Sequence, residues 1–476
     1  MSYSTLTDAA APRDPKRPPA PIPPHEQPGS TPGLRDYWTF FLNARRNLIS
    51  AFTDIAYEQP FVKRKLRGAE TWVVSEPEAI KRILLDNAGN YVKSQQQKRR
   101  LEPALGQSLL LADGEAWRWQ RRTTAPAFQH KKIVGFAPLM VAAAEDMLAR
   151  WDKEALPERN IAREMMGLAY DVLSRTVFGR AAPLAADRMG KAIDLYLDTA
   201  GRMDLAAMLN LPIWVPTLGR LRARPALNWF KAEIGGAIRE RRAELARGIG
   251  SDSGDLLTML LTATDPETGR PMDDQLVYDN ALTFIVAGHE TTANALAWTL
   301  FLLSEFPWAE ARVSQELAQV LGGRTPGADD VARLTYTRQV LDEAMRLYPP
   351  APFAGREAIE DDVLAGAPVK AGTQILVSAY ILHRHRRLWE EPDLFDPERF
   401  APGRREAIHR FAYIPFSAGP RICIGMAFAI QEAILLLATI LQRYRLTLRP
   451  GHVVEPHATI TLRPRGGLPM KLERRQ

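Results

Sequence analysis

The sequence predicts a mainly α-helical protein with small β-sheets near its N- and C-termini. Three observations lead there. Apolar residues recur at helical spacing through the middle of the chain, over 133–151, 165–178, 189–210 and 229–247. One apolar run, 275–306, is far too long for a strand; at ~1.5 Å per residue it would form a rod of roughly 45–50 Å. The β-type runs are short and lie outside that middle: Thr71–Ser75 (TWVVS), Gly372–Tyr380 and the tail 459–472.

Each element has its own signal. Pro18, Pro19, Pro21, Pro23, Pro24, Pro28 and Pro32 remove backbone donors and fix φ, so residues 1–34 are expected as a flexible extended arm and 35–476 as one folded domain. Residues 60–67 are expected to pair with 71–75 about Gly68, and a helix over 76–86 to follow, with Ser75 as its cap. Residues 248–255 read as a loop. The run 275–306 carries Asp279, Asn280, His289, Glu290, Thr291, Thr292 and Asn294. Those groups are costly in lipid, so it reads as a helix through the protein centre rather than a membrane span. A helix over 334–348 is stopped by Pro349-Pro350. Another buried helix covers 423–445, and Gly466-Gly467 centres a hairpin over 459–472.

Composition narrows the function. Lys+Arg 62 against Asp+Glu 55 is a mild excess, and no basic tract interleaves with aromatics, which argues against nucleic-acid binding. With one cysteine, a disulfide framework and a Cys-rich zinc or iron–sulfur site are both excluded. Met1–Ala10 has no apolar core of a signal peptide, so a cytoplasmic protein without a transmembrane anchor is expected.

The cysteine itself, Cys423, is best read with its neighbours, Phe416-Ser417-Ala418-Gly419-Pro420-Arg421-Ile422-Cys423-Ile424-Gly425. A lone cysteine is usually a small buried hydrophobe. Here it precedes an apolar helix, whose free N–H groups and dipole favour a thiolate. Gly419 permits a tight turn, Gly425 leaves room for a flat macrocycle, and Arg421 adds positive charge. The pattern FxxGxRxCxG, with every fixed position present, resembles the haem-binding loop of the cytochrome P450 family. The resemblance extends from about residue 35 to the C-terminus. It implies a single triangular helical fold with minor sheets, haem b, and Cys423 as the axial thiolate.

Further motifs fall into place beside it. Glu343 and Arg346 (i, i+3) could be a surface pair of little consequence, but they resemble the family's ExxR motif. The resemblance joins them to Arg399 of Pro397-Glu398-Arg399-Phe400 in a buried network behind the haem. Ala287-Gly288-His289-Glu290-Thr291-Thr292 resembles the oxygen-activation motif, making Thr291 the hydrogen-bonding alcohol and Glu290 a proton relay. Thr292 fits a hydroxyl bonded back to its own helix, and His289 a pocket or packing residue rather than an iron ligand. Trp117 and Arg121 form WxxxR and could simply stack; by resemblance they, Arg356 and Arg421 face the haem propionates.

The family implies insertion of one atom of dioxygen into a lipophilic small molecule. Leu109, Leu110, Ala287, Ala351, Phe353 and Ile460 are candidate pocket liners. No flavin domain or dinucleotide fingerprint is visible, so electrons are expected from a separate acidic ferredoxin or flavodoxin with its NAD(P)H reductase. Arg118, Arg122, Lys131, Lys132, Arg386, Arg387, Arg404 and Arg405 are either its docking face or a scattered solvated surface. The apolar segment 209–218 is an entrance lid, a membrane-surface contact or ordinary packing. A monomer is the default. The rival readings are a peroxide-dependent haem-thiolate enzyme, whose relatives tend to lose the acid–alcohol pair retained here, and a haem-based gas sensor, which would need an output domain.

Overall fold

The computed structural model describes residues 34–66, 69–179, 186–199, 217–250 and 254–475. The expected arm, apart from Leu34, lies outside the described residues, as do Gly68 and all but the last two residues of the 209–218 segment.

The long apolar run is one helix, Asp274–Glu305, capped by the Asp273 carboxylate, which accepts the Leu276 N–H at 2.8 Å. Nearly all of its residues from His289 to Leu303 are buried, so it needs no amphipathic stripe. Helices Ile161–Val177, Leu218–Ala246, Thr335–Leu347 and Met426–Arg443 pack around it. Met426–Arg443 is the one described helix long and apolar enough to cross a membrane, but most of it is buried in the protein core.

Five strands form the main sheet: β1 (Phe61–Leu66), β2 (Ala69–Val74), β3 (Tyr91–Lys93), β5 (Phe353–Ala358) and β8 (Gln374–Ser378), in the order β1-β2-β8-β5-β3. Pair β1–β2 is the expected hairpin, Val62 opposite Val73. Strands β2 and β8 run parallel, Val73 beside Leu376, while the remaining pairs are antiparallel. Strand β4 (Glu158–Asn160) lies in a second sheet, and β6 (Asp362–Leu364) pairs with β7 (Ala367–Val369).

Several expected boundaries move, each for a local reason. Ser75 does not cap the helix after β2. Its N–H is tied to the Pro60 carbonyl and its side chain is buried, and Glu76 takes the cap ahead of Pro77. Only Pro77–Lys81 is then α-helical, with a wider π turn over Arg82–Asp86. The run 133–151 is two helices, His130–Gly135 and Ala137–Glu154, because Pro138 lacks the N–H that would carry one into the other. The tail is not one hairpin. Gly466-Gly467 divides β11 (Leu462–Arg465), which pairs with β10 (Glu455–Ala458), from β12 (Pro469–Arg474), which joins β4 and β9 (Tyr444–Leu448).

Candidate active site

The strands and helices enclose an apolar cavity of about 380 Å³ between the central helix and the cysteine loop. On one wall stand Ala287, Gly288, Thr291 and Thr292; on the other are Phe416, Cys423 and Gly425. A Cβ on Gly288 would press on the Leu173 side chain at 3.2 Å, so glycine keeps this stretch of wall thin.

The cysteine loop is built from its own backbone. The Cys423 N–H donates to the Phe416 carbonyl at 3.0 Å, and the Ile422 N–H to Gly419 at 3.1 Å. Gly419 sits at φ 68, and a Cβ there would overlap the Leu84 carbonyl oxygen, so no other residue fits the turn. The helix proper begins at Met426 rather than at the cysteine. The Cys423 side chain is open to the cavity. Burial raises its thiol pKa, while the Gly425 N–H and the Arg121 charge act to lower it.

Cations are in excess at one end of the cavity. Arg121, Arg356 and Lys93 all line it, and none forms an ion pair among the described residues. Arg356 is buried and donates to its neighbour's carbonyl, Gly355 O, at 2.9 Å. Lys93 lies directly opposite Arg356 across β3–β5. Like charges in that position repel, and burial together with Arg356 and Arg421 pushes the Lys93 ammonium well below its ordinary pKa. Burial also lowers Arg356, to about 10. Such a cluster is costly unless an anion joins it, and the two carboxylates of a haem would do so. The residues present therefore fit that group. Lys93 was missed by sequence reasoning, because nothing in its own neighbourhood marks it; its position becomes apparent only through strand pairing with residue 356.

Arg421 is less free than expected. It bonds the Ala112 carbonyl at 2.7 Å and Asp113 at 2.8 Å, and its guanidinium lies 4.2 Å over the Trp117 ring. Trp117 and Arg121 share helix Gly114–Thr124 and both face the cavity.

Behind the cavity, Glu343 and Arg346 are fully buried and joined by two parallel bonds of 2.6 and 2.7 Å. Arg346 also donates to the carbonyls of His383, Pro392 and Leu394. Arg399 is a looser third member, 3.7 Å from Glu343, held by the Glu391 carbonyl at 2.9 Å. The surface reading of the pair is thereby excluded.

The expected acid–alcohol pair is split. Thr291 lines the cavity and bonds back to the Ala287 carbonyl at 2.6 Å. Glu290, one residue earlier, is turned about the helix away from the cavity lining and accepts from the Thr461 hydroxyl. Burial raises its pKa. Beyond it Arg463 bridges Asp194 and Asp198 on the surface. Leu109, Leu110, Ala287, Ala351 and Phe353 line the cavity as expected. Ile460 does not; it sits in the turn between β10 and β11 and packs against a neighbouring core cluster. Leu109 is held over the central helix by its N–H on the Asn280 side chain at 2.9 Å.

A lone cysteine on an apolar cavity, with unpaired cations gathered at one end, defines the site of a haem-thiolate protein. The cytochrome P450 family model matches residues 28–468. Cyclooctatin synthase of Streptomyces melanosporofaciens is 35% identical over 402 residues, covering 84% of this chain and 86% of that protein. Cyclooctat-9-en-7-ol 5-monooxygenase of the same organism is 34% identical over 432 residues, covering 89% and 90%. The crystal structure of the cytochrome P450DA heme domain superposes with a TM-score of 0.78 at 26% identity, covering 95% of this chain and 97% of that one. The chain belongs to the cytochrome P450 family, and it is a haem-thiolate monooxygenase.

Proposed function

We propose that this monooxygenase uses dioxygen to hydroxylate or epoxidise a lipophilic small molecule, with Cys423 as the residue that would hold the haem iron and electrons from a separate acidic donor protein. The observation that carries the reading is the cavity itself: an apolar chamber between Thr291 and the chain's one cysteine. Bound there and held by the Cys423 sulfur, a haem would supply oxygen activation. The apolar liners Leu109, Leu110, Ala287 and Phe353 receive the substrate and exclude water. Thr291 offers a hydroxyl at the reacting centre, and Glu290 with Thr461 leads from the surface pairs of Arg463 toward the central helix. Arg121, Arg356 and Lys93 would neutralise the haem carboxylates, and residues from about 35 onward act as one domain. A lipophilic substrate accords with the relative whose name gives cyclooctat-9-en-7-ol as its substrate.

The test compares product formed per electron consumed in the wild-type protein and in Thr291→Ala, with dioxygen and a ferredoxin couple. Thr291→Ala is expected to keep consuming electrons while losing most of the product. Equal coupling in the two, with turnover sustained by peroxide alone, would assign the protein to the peroxide-driven class instead.

A further inference from the structure

Two buried polar residues of the central helix, Asp279 and Asn280, have no part in the chemistry above. Both bond to the segment 106–112, which carries Leu109 and Leu110 into the cavity lining. One Asp279 oxygen accepts the Gln107 backbone N–H at 2.9 Å, and the other accepts the Gln275 side-chain amide at 2.8 Å. Asn280 accepts the Leu109 N–H at 2.9 Å, and its own amide donates to Gln120 at 3.1 Å. Gln120 donates in turn to the Gln107 carbonyl at 2.8 Å. Gly106 sits at φ 52, and a Cβ there would overlap the Asp279 carboxyl group, so only glycine lets the helix come this close. Farther along, the Leu111 and Ala112 N–H groups both close onto the Ser108 carbonyl at 2.9 Å. Connecting segments are ordinarily the mobile parts of a fold. In this one the backbone is pinned by side chains from two helices.

We propose that Asp279 and Asn280 are specificity-determining positioning residues: they clamp Leu109 and Leu110 as a fixed wall of the cavity, and that wall sets an upper limit on substrate size. The inference rests on the lipophilic-substrate reading above. The hydroxyls of Thr176, Thr283 and Thr291 line the cavity, but each donates to a carbonyl one turn back in its own helix. Selection therefore falls largely to shape. Shape discriminates only where the wall does not yield, because a side chain free to move accommodates extra bulk. Here yielding is costly. Pushing Leu109 and Leu110 outward breaks the bonds of Gln107 and Leu109 together, and leaves a carboxylate and an amide without those partners in the interior. An oversized molecule is refused, and one that fits is held in a restricted set of orientations beside Thr291. Asp279 and Asn280 do this without touching substrate, since they act through the leucines.

The experiment titrates the haem-loaded protein with imidazole, 4-phenylimidazole and 4-(biphenyl-4-yl)imidazole, read from the shift of the Soret band, and follows hydrogen–deuterium exchange over 106–112. The wild type is expected to bind the biphenyl probe at least about tenfold more weakly than the phenyl probe. Asn280→Leu and Asp279→Leu should abolish most of that difference and speed exchange over 106–112. Binding of imidazole itself should be unchanged, which shows that the haem site is intact. Asp279→Asn keeps an acceptor for the Gln107 N–H and should retain the size limit. If the leucine variants do not load haem, Gln120→Ala cuts the same clamp more gently and should shrink the difference in part. Equal affinity of the wild type for the two larger probes overturns the proposal. So does faster exchange with the size limit intact, which would leave the clamp a role in folding alone. Failure of the lipophilic-substrate reading looks different: the phenyl group would then add no affinity over imidazole itself.

Discussion

Cys423 is the residue on which the chemistry turns, and its assignment has a direct spectroscopic consequence. The dithionite-reduced protein with carbon monoxide is expected to show the strongly red-shifted Soret band of a thiolate-ligated haem. Cys423→His is expected to move that band to the ordinary histidine-haem position, because imidazole replaces the donor sulfur; a red-shifted band in the variant would rule out Cys423 as the ligand. The cysteine was legible in the sequence because its determinants are contiguous: Gly419, Arg421 and Gly425 all lie within a few residues. Lys93 was not, since its meaning comes from lying opposite Arg356 across a strand pair.

Elements behave as their neighbours dictate. Helix Thr335–Leu347 presents Arg346 to three carbonyls from the segment 383–394, so one side chain ties a helix to an otherwise irregular stretch of chain. Removing it strands the Glu343 carboxylate in the interior, at a cost of ~3–5 kcal/mol. Arg346→Ala is therefore expected to yield little haem-loaded protein, measured as haem per polypeptide after purification; normal loading would show that the network carries no structural burden. Helix interiors were legible from periodicity, and their ends less so. Ser75 had a cap's chemistry but was drawn inward by Pro60. The two strands flanking Gly466-Gly467 had the look of a hairpin, yet each found a better partner in a different sheet. Turn residues announce a reversal; they do not say which strand will be waiting on the far side.

Across the whole molecule, charge is more balanced than the sequence suggests. Of the eight basic residues considered for donor docking, Arg118, Arg122, Arg386, Arg404 and Arg405 have carboxylate partners in Glu115, Asp265, Glu58, Asp396 and Asp342. Lys131, Lys132 and Arg387 form no ion pair among the described residues. Lys131 and Lys132 sit on the short helix His130–Gly135, which packs against the cysteine helix. Turnover with a small acidic ferredoxin is expected to slow as salt rises, because screening weakens steering between exposed charges. Neutralising Lys131, Lys132 and Arg387 should flatten that dependence more than neutralising Arg118, Arg122 and Arg404. A rate indifferent to salt would dismiss electrostatic docking. This distribution could not be read from the sequence, in which a paired and an unpaired arginine are written alike.

The parallel pairing of β2 with β8 has a consequence in time as well as in space. Residues 71–74 wait for 374–377, and Leu84 waits for Gly419, before either can take its final place. A ribosome making this chain releases most of the central helix bundle before the cysteine loop exists. Contacts of such long sequence separation are intrinsically slow to form, and domains of this size pass through partly assembled states. Cofactor capture is thereby deferred until the cysteine loop has been made, after most of the helix bundle that will enclose it.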